Sequence, residues 1–206
     1  MAQRALILVD LQNDFCAGGS LEVPRGDEVI EVANILAPRF GVVIATQDWH
    51  PPGHKSFASS HPGHAVGEVI DLEGLPQVLW PDHCVQGTAG AELVAGLHRT
   101  PITEVVQKGT DARIDSYSGF FDNGHRKATE LSPLLRSLGV TALAVMGLAT
   151  DYCVKFTVLD GLSEGFSVRL IDDGCRGVDL SPGDSARAID EMRAAGAEVV
   201  SASAAL

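Results

Sequence analysis

The feature of this sequence that most constrains its fold is a repeated alternation of short apolar runs and amphipathic stretches. The apolar runs are rich in Val, Ile and Leu and alternate only weakly with polar residues. This pattern is typical of strands that are buried on both faces of a parallel sheet. The predicted strands are residues 5–9, 42–46, 103–107, 142–148, 167–171 and 197–201.

The stretches between these runs have helical periodicity. Residues 27–40 place Val29, Val32 and Leu36 on one helical face. Similar spacing predicts helices within residues 129–139, 153–165 and 185–196. Strands that alternate with helices require right-handed crossover connections. The sequence therefore predicts one α/β domain over residues 1–206, in which a six-stranded, mainly parallel sheet has helices on both faces.

One region, residues 48–90, lacks this alternation. It contains five of the seven histidines, both tryptophans, and many Pro and Gly residues. An irregular segment of this length inside a compact domain is usually functional. We therefore predict that residues 48–90 form an irregular insertion that binds metal and substrate.

Composition excludes several classes of function. The chain has 15 Lys and Arg against 27 Asp and Glu, a net charge of −12, so binding to nucleic acid or to an anionic membrane is not expected. No apolar run approaches the roughly 20 residues of a membrane-spanning helix. The four cysteines form no CxxC pair, which favours a reducing, cytoplasmic location.

Ionisable residues follow several of the predicted strands. Asp10 follows the first strand, Lys108 follows the third, and Cys153 begins the helix after the fourth. In an open α/β sheet these carboxyl ends form the expected binding edge. A helix N-terminus and a nearby ammonium lower a thiol pKa, and a carboxylate can accept the thiol proton. The three residues together predict a cysteine nucleophile with an acid–base partner.

Each of these residues also has a simpler interpretation. Asp10 could cap a helix, Lys108 could be a solvated surface charge, and Cys153 could be a small core residue. Taken singly, the simpler interpretation is favoured for each residue. Their joint placement at strand ends is what favours catalysis.

A second group of residues has the chemistry of a metal site. Asp48 and His50 lie two positions apart at the end of the second strand, so their side chains can point the same way. His83 lies in the same irregular region. One carboxylate and two imidazoles leave coordination positions open, as catalytic metal sites require. The Asp-x-His spacing is common by chance, and His54, among other histidines, remains an alternative ligand.

Three aromatic residues lie near these candidates or in a loop rich in Gly and Ser. Phe15, Trp80 and Tyr117 could enclose a flat aromatic ligand by stacking. Ordinary core packing is the alternative interpretation for each of them.

Several segments together resemble the nicotinamidase/pyrazinamidase family, within the isochorismatase-like cysteine hydrolases. The resemblance covers nearly the whole chain, and the Asp-x-His and WPxHC motifs are its most specific part. The segments are LVDLQNDF with Asp10, TQDWHPPGHKSFA with Asp48 and His50, LWPDHCVQGT with His83, VQKGTD and DSYSGF with Lys108 and Tyr117, and GLATDYCVKFT with Cys153.

The resemblance implies a catalytic mechanism. Asp10, Lys108 and Cys153 match the family's catalytic triad, which forms a cysteine thioester while converting nicotinamide to nicotinate and ammonia in NAD salvage. Pyrazinamide is a second expected substrate. The bond between Leu148 and Ala149 matches a cis peptide of the family. That peptide would let the amides of Ala149 and Cys153 form the oxyanion hole.

The resemblance also implies a metal cofactor and a set of substrate contacts. Asp48, His50 and His83 match the ligands of one divalent metal, which is zinc, iron or manganese across the family, with zinc favoured here. His54 is left outside the ligand set. The substrate-binding residues that we predict are Phe15, Trp80, Tyr117 and Leu148. Nicotinamide is the expected partner, and the sequence leaves a homo-oligomer open.

Two rival functions remain at this stage. One is a hydrolase of the same superfamily that acts on a different small amide and needs no metal at Asp48, His50 and His83. The other is a non-catalytic binding protein on the same scaffold, since fold alone does not determine function. The second rival would predict a degraded triad, whereas all three residues are present.

Overall fold

The computed structural model describes residues 3–205, which contain eight strands. In chain order they are β1 (Gln3–Val9), β2 (Val42–Asp48), β3 (Val69–Leu72), β4 (Leu75–Val78), β5 (Glu104–Lys108), β6 (Val140–Leu148), β7 (Ser167–Arg176) and β8 (Glu198–Val200). Six of them form the main sheet, in the order β5-β2-β1-β6-β7-β8, and every pairing in it is parallel. All six predicted strands are confirmed.

Four α-helices connect these strands. They are α1 (Glu28–Leu36), α2 (Leu131–Ser137), α3 (Lys155–Ser163) and α4 (Asp184–Ala194). The α1 connection runs from β1 to β2, in the direction opposite to the three crossovers that contain α2, α3 and α4. Right-handed connections therefore place α1 on one face of the sheet and α2, α3 and α4 on the other. Within residues 3–205, no helix has the length and apolar composition needed to cross a membrane.

The centre of the sheet is buried on both faces, as the apolar runs predict. Residues 5–9 of β1 and all of β2 are buried, and the apolar residues among them belong to one continuous hydrophobic core. Burial of each Val, Ile or Leu side chain there stabilises the folded state by about 1.5–3 kcal/mol. This packing fixes where each strand ends, and so where the polar residues that follow it are placed.

The structure contains an element that the sequence analysis did not identify. β3 and β4 form a separate antiparallel hairpin inside residues 48–90. Its strands have four residues each, most of these residues are half-buried or exposed, and Pro76 lies within one strand. Short, half-exposed strands of this kind give little periodicity for a sequence pattern to detect.

The strand order reverses between β1 and β6. From β1 the chain proceeds to β2 and β5 on one side, whereas β7 and β8 follow β6 on the other side. Ligands of open α/β sheets bind at such a reversal, outside the carboxyl ends of the strands. Asp10 follows β1, Asp48 ends β2 opposite Lys108 at the end of β5, and Ala149 follows β6. The reversal therefore brings these four residues to one edge.

Candidate active site

Lys108 lies at the centre of a buried charge cluster. Its Nζ is 2.9 Å from Asp10 Oδ2 and 2.6 Å from Asp48 Oδ1. Nζ also donates to the Ser116 carbonyl oxygen at 2.8 Å and lies 3.4 Å from Cys153 Sγ. Lys108 is 1% exposed, so the interpretation as a solvated surface charge is wrong. Its ammonium joins the two carboxylates to the thiol.

Cys153 lies in a helical turn directly after β6. This turn spans Thr150–Val154 and precedes α3, and Cys153 is buried within it. The peptide bond between Leu148 and Ala149 is cis. Cys153 Sγ and a carboxylate oxygen of Asp10 lie within 4.8 Å of each other. The thiol therefore has both a carboxylate and an ammonium close to it.

The pKa of the Cys153 thiol moves in the direction opposite to the sequence-based expectation. Burial raises this pKa well above its usual range, and Asp10 and Asp48 add to the increase while Lys108 opposes it. The helix N-terminus and one ammonium do not compensate for burial beside two carboxylates. The resting state is therefore a thiol, which must pass its proton to a base before it can attack.

Asp10 has the properties of that base. Burial raises its pKa, Asp48 raises it further, and Lys108 opposes both. Burial also acts to raise the pKa of Asp48, but the charges of Lys108 and His50 outweigh it and hold this pKa well below its usual range. Burial alone would lower the pKa of Lys108, but Asp10 and Asp48 raise it well above its ordinary value. Lys108 therefore stays charged, Asp48 stays ionised, and Asp10 is the carboxylate that takes up a proton most readily.

The three predicted metal ligands converge in one place. Asp48 Oδ2 is 3.6 Å from His50 Nε2 and 3.8 Å from His83 Nε2. All three side chains are buried. The Nδ1 of His50 bonds to the Gly109 carbonyl at 3.0 Å, and the Nδ1 of His83 bonds to the Pro81 carbonyl at 2.8 Å. Carbonyl partners of this kind place the proton on Nδ1 and leave the Nε2 lone pair free.

These residues fit a divalent cation. His50 Nε2 is buried without a hydrogen-bond partner, which is costly unless something binds it. Burial lowers the pKa of His83 to about 4, with His50 adding to the effect, so the His83 imidazole is neutral at neutral pH. His54 does not fit, because Nδ1 bonds to Ser56 and Nε2 bonds to the Asp111 carbonyl at 2.8 Å. One carboxylate and two imidazoles therefore form the candidate metal site.

A small cavity is lined by Cys153 and by two of the three candidate metal ligands, whereas His50 does not line it. Phe15, Trp80 and Tyr117 line it, together with Leu21, Asp48, His83, Asp115, Ala149, Tyr152, Cys153 and Val178. Trp80 Nε1 donates to the Tyr117 hydroxyl at 3.1 Å, which holds two of the aromatic walls together. Leu148 is fully buried in the hydrophobic core and is not one of the lining residues. Its role in substrate binding stays a prediction.

Comparison with known proteins identifies the family. Residues 4–204 match the isochorismatase domain. The chain belongs to the isochorismatase family. It is 57% identical over 201 residues to nicotinamidase from Escherichia coli (strain K12), covering 96% of this chain and 94% of that protein.

Two solved structures have folds similar to the fold of this chain. An Acinetobacter baumanii nicotinamidase/pyrazinamidase has a TM-score of 0.96 at 41% identity, covering 100% of this chain and 99% of that one. Pyrazinamidase of Pyrococcus horikoshii in complex with zinc has a TM-score of 0.79 at 37% identity, covering 97% and 99% of the two chains. A similar pyrazinamidase thus binds zinc.

The structure adds residues that the sequence analysis missed. Gln12 is fully buried; its Nε2 donates to the Asp48 carbonyl at 2.8 Å and its Oε1 accepts from the Asp48 amide at 2.8 Å. Asp115 is 2% exposed, and its Oδ1 is 3.9 Å from His50 Nε2. Gln12 lies only two positions after the candidate base Asp10, and this closeness in sequence is the one signal that could have indicated its role. Nothing in the spacing of Asp115 indicates its contact.

Gly109 leads to a specific prediction for the metal site. It has φ +64°, and a Cβ there would lie 2.5 Å from His50 Cε1 and 2.7 Å from Nδ1. We expect Gly109→Ala to displace the His50 ring and to lower zinc affinity at least about tenfold. Zinc titration of the metal-free protein measures this effect.

A matched variant separates the collision from backbone strain. Gly87 has φ +77° with nothing within 4 Å of a Cβ, so Gly87→Ala carries similar strain without touching a ligand. We expect Gly87→Ala to keep its zinc affinity within about twofold, at a stability cost of about 1 kcal/mol. Equal losses of affinity in the two variants would contradict the steric argument.

Proposed function

We infer that this protein is a nicotinamidase, an amidohydrolase that converts nicotinamide to nicotinate and ammonia, with pyrazinamide as a second substrate. One observation carries the inference. A buried thiol, which has a base and an ammonium beside it, lines the same aromatic-walled cavity as the carboxylate and one imidazole of the candidate metal site. The relatives named nicotinamidase support the same activity.

The proposed chemistry begins with proton transfer from Cys153 to Asp10. The thiolate attacks the carboxamide carbon, and the amides of Ala149 and Cys153 stabilise the oxyanion. Asp10 returns the proton to the leaving nitrogen, and ammonia departs. Asp10 then removes a proton from water, and the resulting hydroxide attacks the thioester carbon. The C–S bond breaks to release nicotinate, and Asp10 returns its proton to the Cys153 thiolate, which restores the resting thiol. Lys108 stabilises the negative charge that moves between Asp10 and the thiol.

The proposed cofactor is one divalent metal ion, with zinc favoured over iron or manganese. Asp48, His50 and His83 would hold it. A bound cation supplies a Lewis-acid anchor for the pyridine nitrogen, which orients the ring. Phe15, Trp80 and Tyr117 would enclose the ring, and Leu148 remains a proposed contact. Nicotinamide is the proposed partner, while a cytoplasmic location and a homo-oligomer stay predictions.

Ammonia release from nicotinamide tests this function. The purified protein is assayed as isolated, after chelation, and after zinc is added back. We expect chelation to lower activity at least about 100-fold and zinc to restore it, because ring orientation is lost without the anchor. Metal analysis should find one zinc ion per chain.

The outcomes separate the rival functions. Activity that survives complete metal removal would contradict the metal assignment and favour a metal-independent amidase. No ammonia from nicotinamide or pyrazinamide with a folded, zinc-loaded protein would overturn the proposed function. His83→Ala should lose both zinc binding and activity, since it removes one of the two imidazole ligands.

A further inference from the structure

Asp151 is a buried carboxylate that the proposed chemistry does not use. It lies two positions before Cys153, in the same helical turn, and is 5% exposed. Its Oδ1 accepts a hydrogen bond from the Val178 amide at 3.0 Å, and its Oδ2 accepts one from the Asp179 amide at 2.8 Å. Both bonds connect the nucleophile turn to a loop after β7. We call residues 177–179 the wall loop.

The wall loop is also fixed from its other side. Asp179 Oδ1 accepts from the Ser185 amide and Oδ2 accepts from the Ser185 hydroxyl, both at 2.8 Å, at the start of α4. A Cβ on Gly177 would lie 1.8 Å from Ser185 Oγ and 3.1 Å from Asp151 Oδ1. The loop therefore fits closely between the nucleophile turn and α4, and a Cβ at position 177 would displace the Ser185 hydroxyl that bonds to Asp179.

Val178 connects this arrangement to the substrate cavity. It is half-buried and lines the same cavity as Phe15, Trp80 and Cys153. A flat aromatic ligand is held by the separation of the walls around it, and a wall on a loop keeps its position only if the loop is held. The two bonds from Asp151 hold the backbone of Val178 and of the next residue.

We propose that Asp151 is a positioning residue that holds Val178 as a wall of the substrate cavity and thereby determines how tightly the aromatic ring binds. The proposal rests on the nicotinamidase activity inferred above. Asp151 acts through the wall loop, so its loss should weaken substrate binding more than it slows the chemical steps at Cys153.

Asp151→Asn tests the proposal with little change in shape. The amide group keeps one acceptor oxygen and presents an NH₂ to the second backbone N–H, so one bond is lost. We expect KM for nicotinamide to rise about tenfold while kcat stays within about threefold. Asp173→Asn is the matched control, because Asp173 accepts from the Ala202 amide at 2.7 Å on an exposed part of the chain. Its KM should stay within about twofold of wild type.

A double-mutant cycle shows whether Asp151 acts through Val178. We expect Val178→Ala alone to raise KM, and Asp151→Asn to add less than about twofold in that background, because the wall is already lost. Multiplicative effects of the two changes on KM would overturn the proposal. A fall in kcat with unchanged KM in Asp151→Asn would overturn it as well.

Hydrogen exchange supplies a measurement that does not depend on activity. The amides of Val178 and Asp179 should exchange at least about tenfold faster in Asp151→Asn and at the wild-type rate in Asp173→Asn. Unchanged exchange in Asp151→Asn would overturn the proposal even if KM rises. A wild-type protein that releases no ammonia would instead contradict the proposed function, and exchange would still decide whether Asp151 holds the loop.

Discussion

Replacing Cys153 with Ala should lower the rate of ammonia release from nicotinamide at least about 10⁴-fold. The thiol is 3.4 Å from Lys108 Nζ and within 4.8 Å of an Asp10 oxygen, so both the base and the ammonium of the proposed mechanism lie beside it. Without Sγ no thioester forms. Removal of one buried sulfur should leave the fold intact, at a cost of about 1–2 kcal/mol.

Two controls make this prediction specific. Zinc affinity should be unchanged in Cys153→Ala, because Asp48, His50 and His83 keep their positions. Cys175→Ala removes another buried thiol, one that bonds to the Ile171 carbonyl at 3.3 Å on β7, and it should retain activity within about twofold. Thioester chemistry would be excluded if Cys153→Ala kept more than about a tenth of the wild-type rate while folded and zinc-loaded.

The sheet could be predicted from the sequence because its central strands are buried on both faces. Residues 5–9 and 42–46 are continuous apolar runs, and their burial leaves few alternatives to a parallel sheet. The candidate site followed, since Asp10, Asp48 and Lys108 each lie where a strand ends. Their convergence required the strand order β5-β2-β1-β6, which chain order alone does not give.

Other features depend on three-dimensional surroundings that no sequence pattern carries. The thiol pKa of Cys153 was expected to fall, but its direction depends on burial and on two carboxylates facing one ammonium. Asp115 approaches His50 from a loop 65 positions later in the chain, with no periodicity that indicates it. The β3–β4 hairpin could not be predicted because its strands bury too few side chains to create an alternation of apolar and polar residues.

Among the variants considered, Lys108→Met should lose the most unfolding free energy, and it should also lose activity. The ammonium lies 2.9 Å from Asp10 and 2.6 Å from Asp48, and all three side chains are buried. Its removal leaves two adjacent carboxylates without their shared cation. Breaking a buried ion pair in this way costs about 3–5 kcal/mol, and the lost charge stabilisation should lower kcat at least about 100-fold. Urea unfolding and the ammonia assay measure the two effects.

The stability loss in Lys108→Met should depend on pH in a defined direction. Burial already raises the pKa of Asp10, and Lys108 is the charge that opposes this rise, so the variant raises it further. A group whose folded pKa is raised contributes stability that is present below its unfolded pKa and is lost as pH increases through the folded value. The destabilisation relative to wild type should therefore be larger at pH 7.5 than at pH 5.

A second lysine, which lies near the surface, shows how much of the stability loss is due to burial of the ion pair. Lys155 pairs with Glu191 at 3.3 Å near the surface, where loss of an ion pair costs about 0–1 kcal/mol. Lys155→Met should therefore unfold within about 1 kcal/mol of wild type, with little pH dependence and normal kcat. If Lys108→Met were no less stable than Lys155→Met at pH 7.5, Asp10 and Asp48 would not depend on Lys108 for their buried charge. That result would contradict the role assigned to Lys108, which is to control the pKa of Asp10.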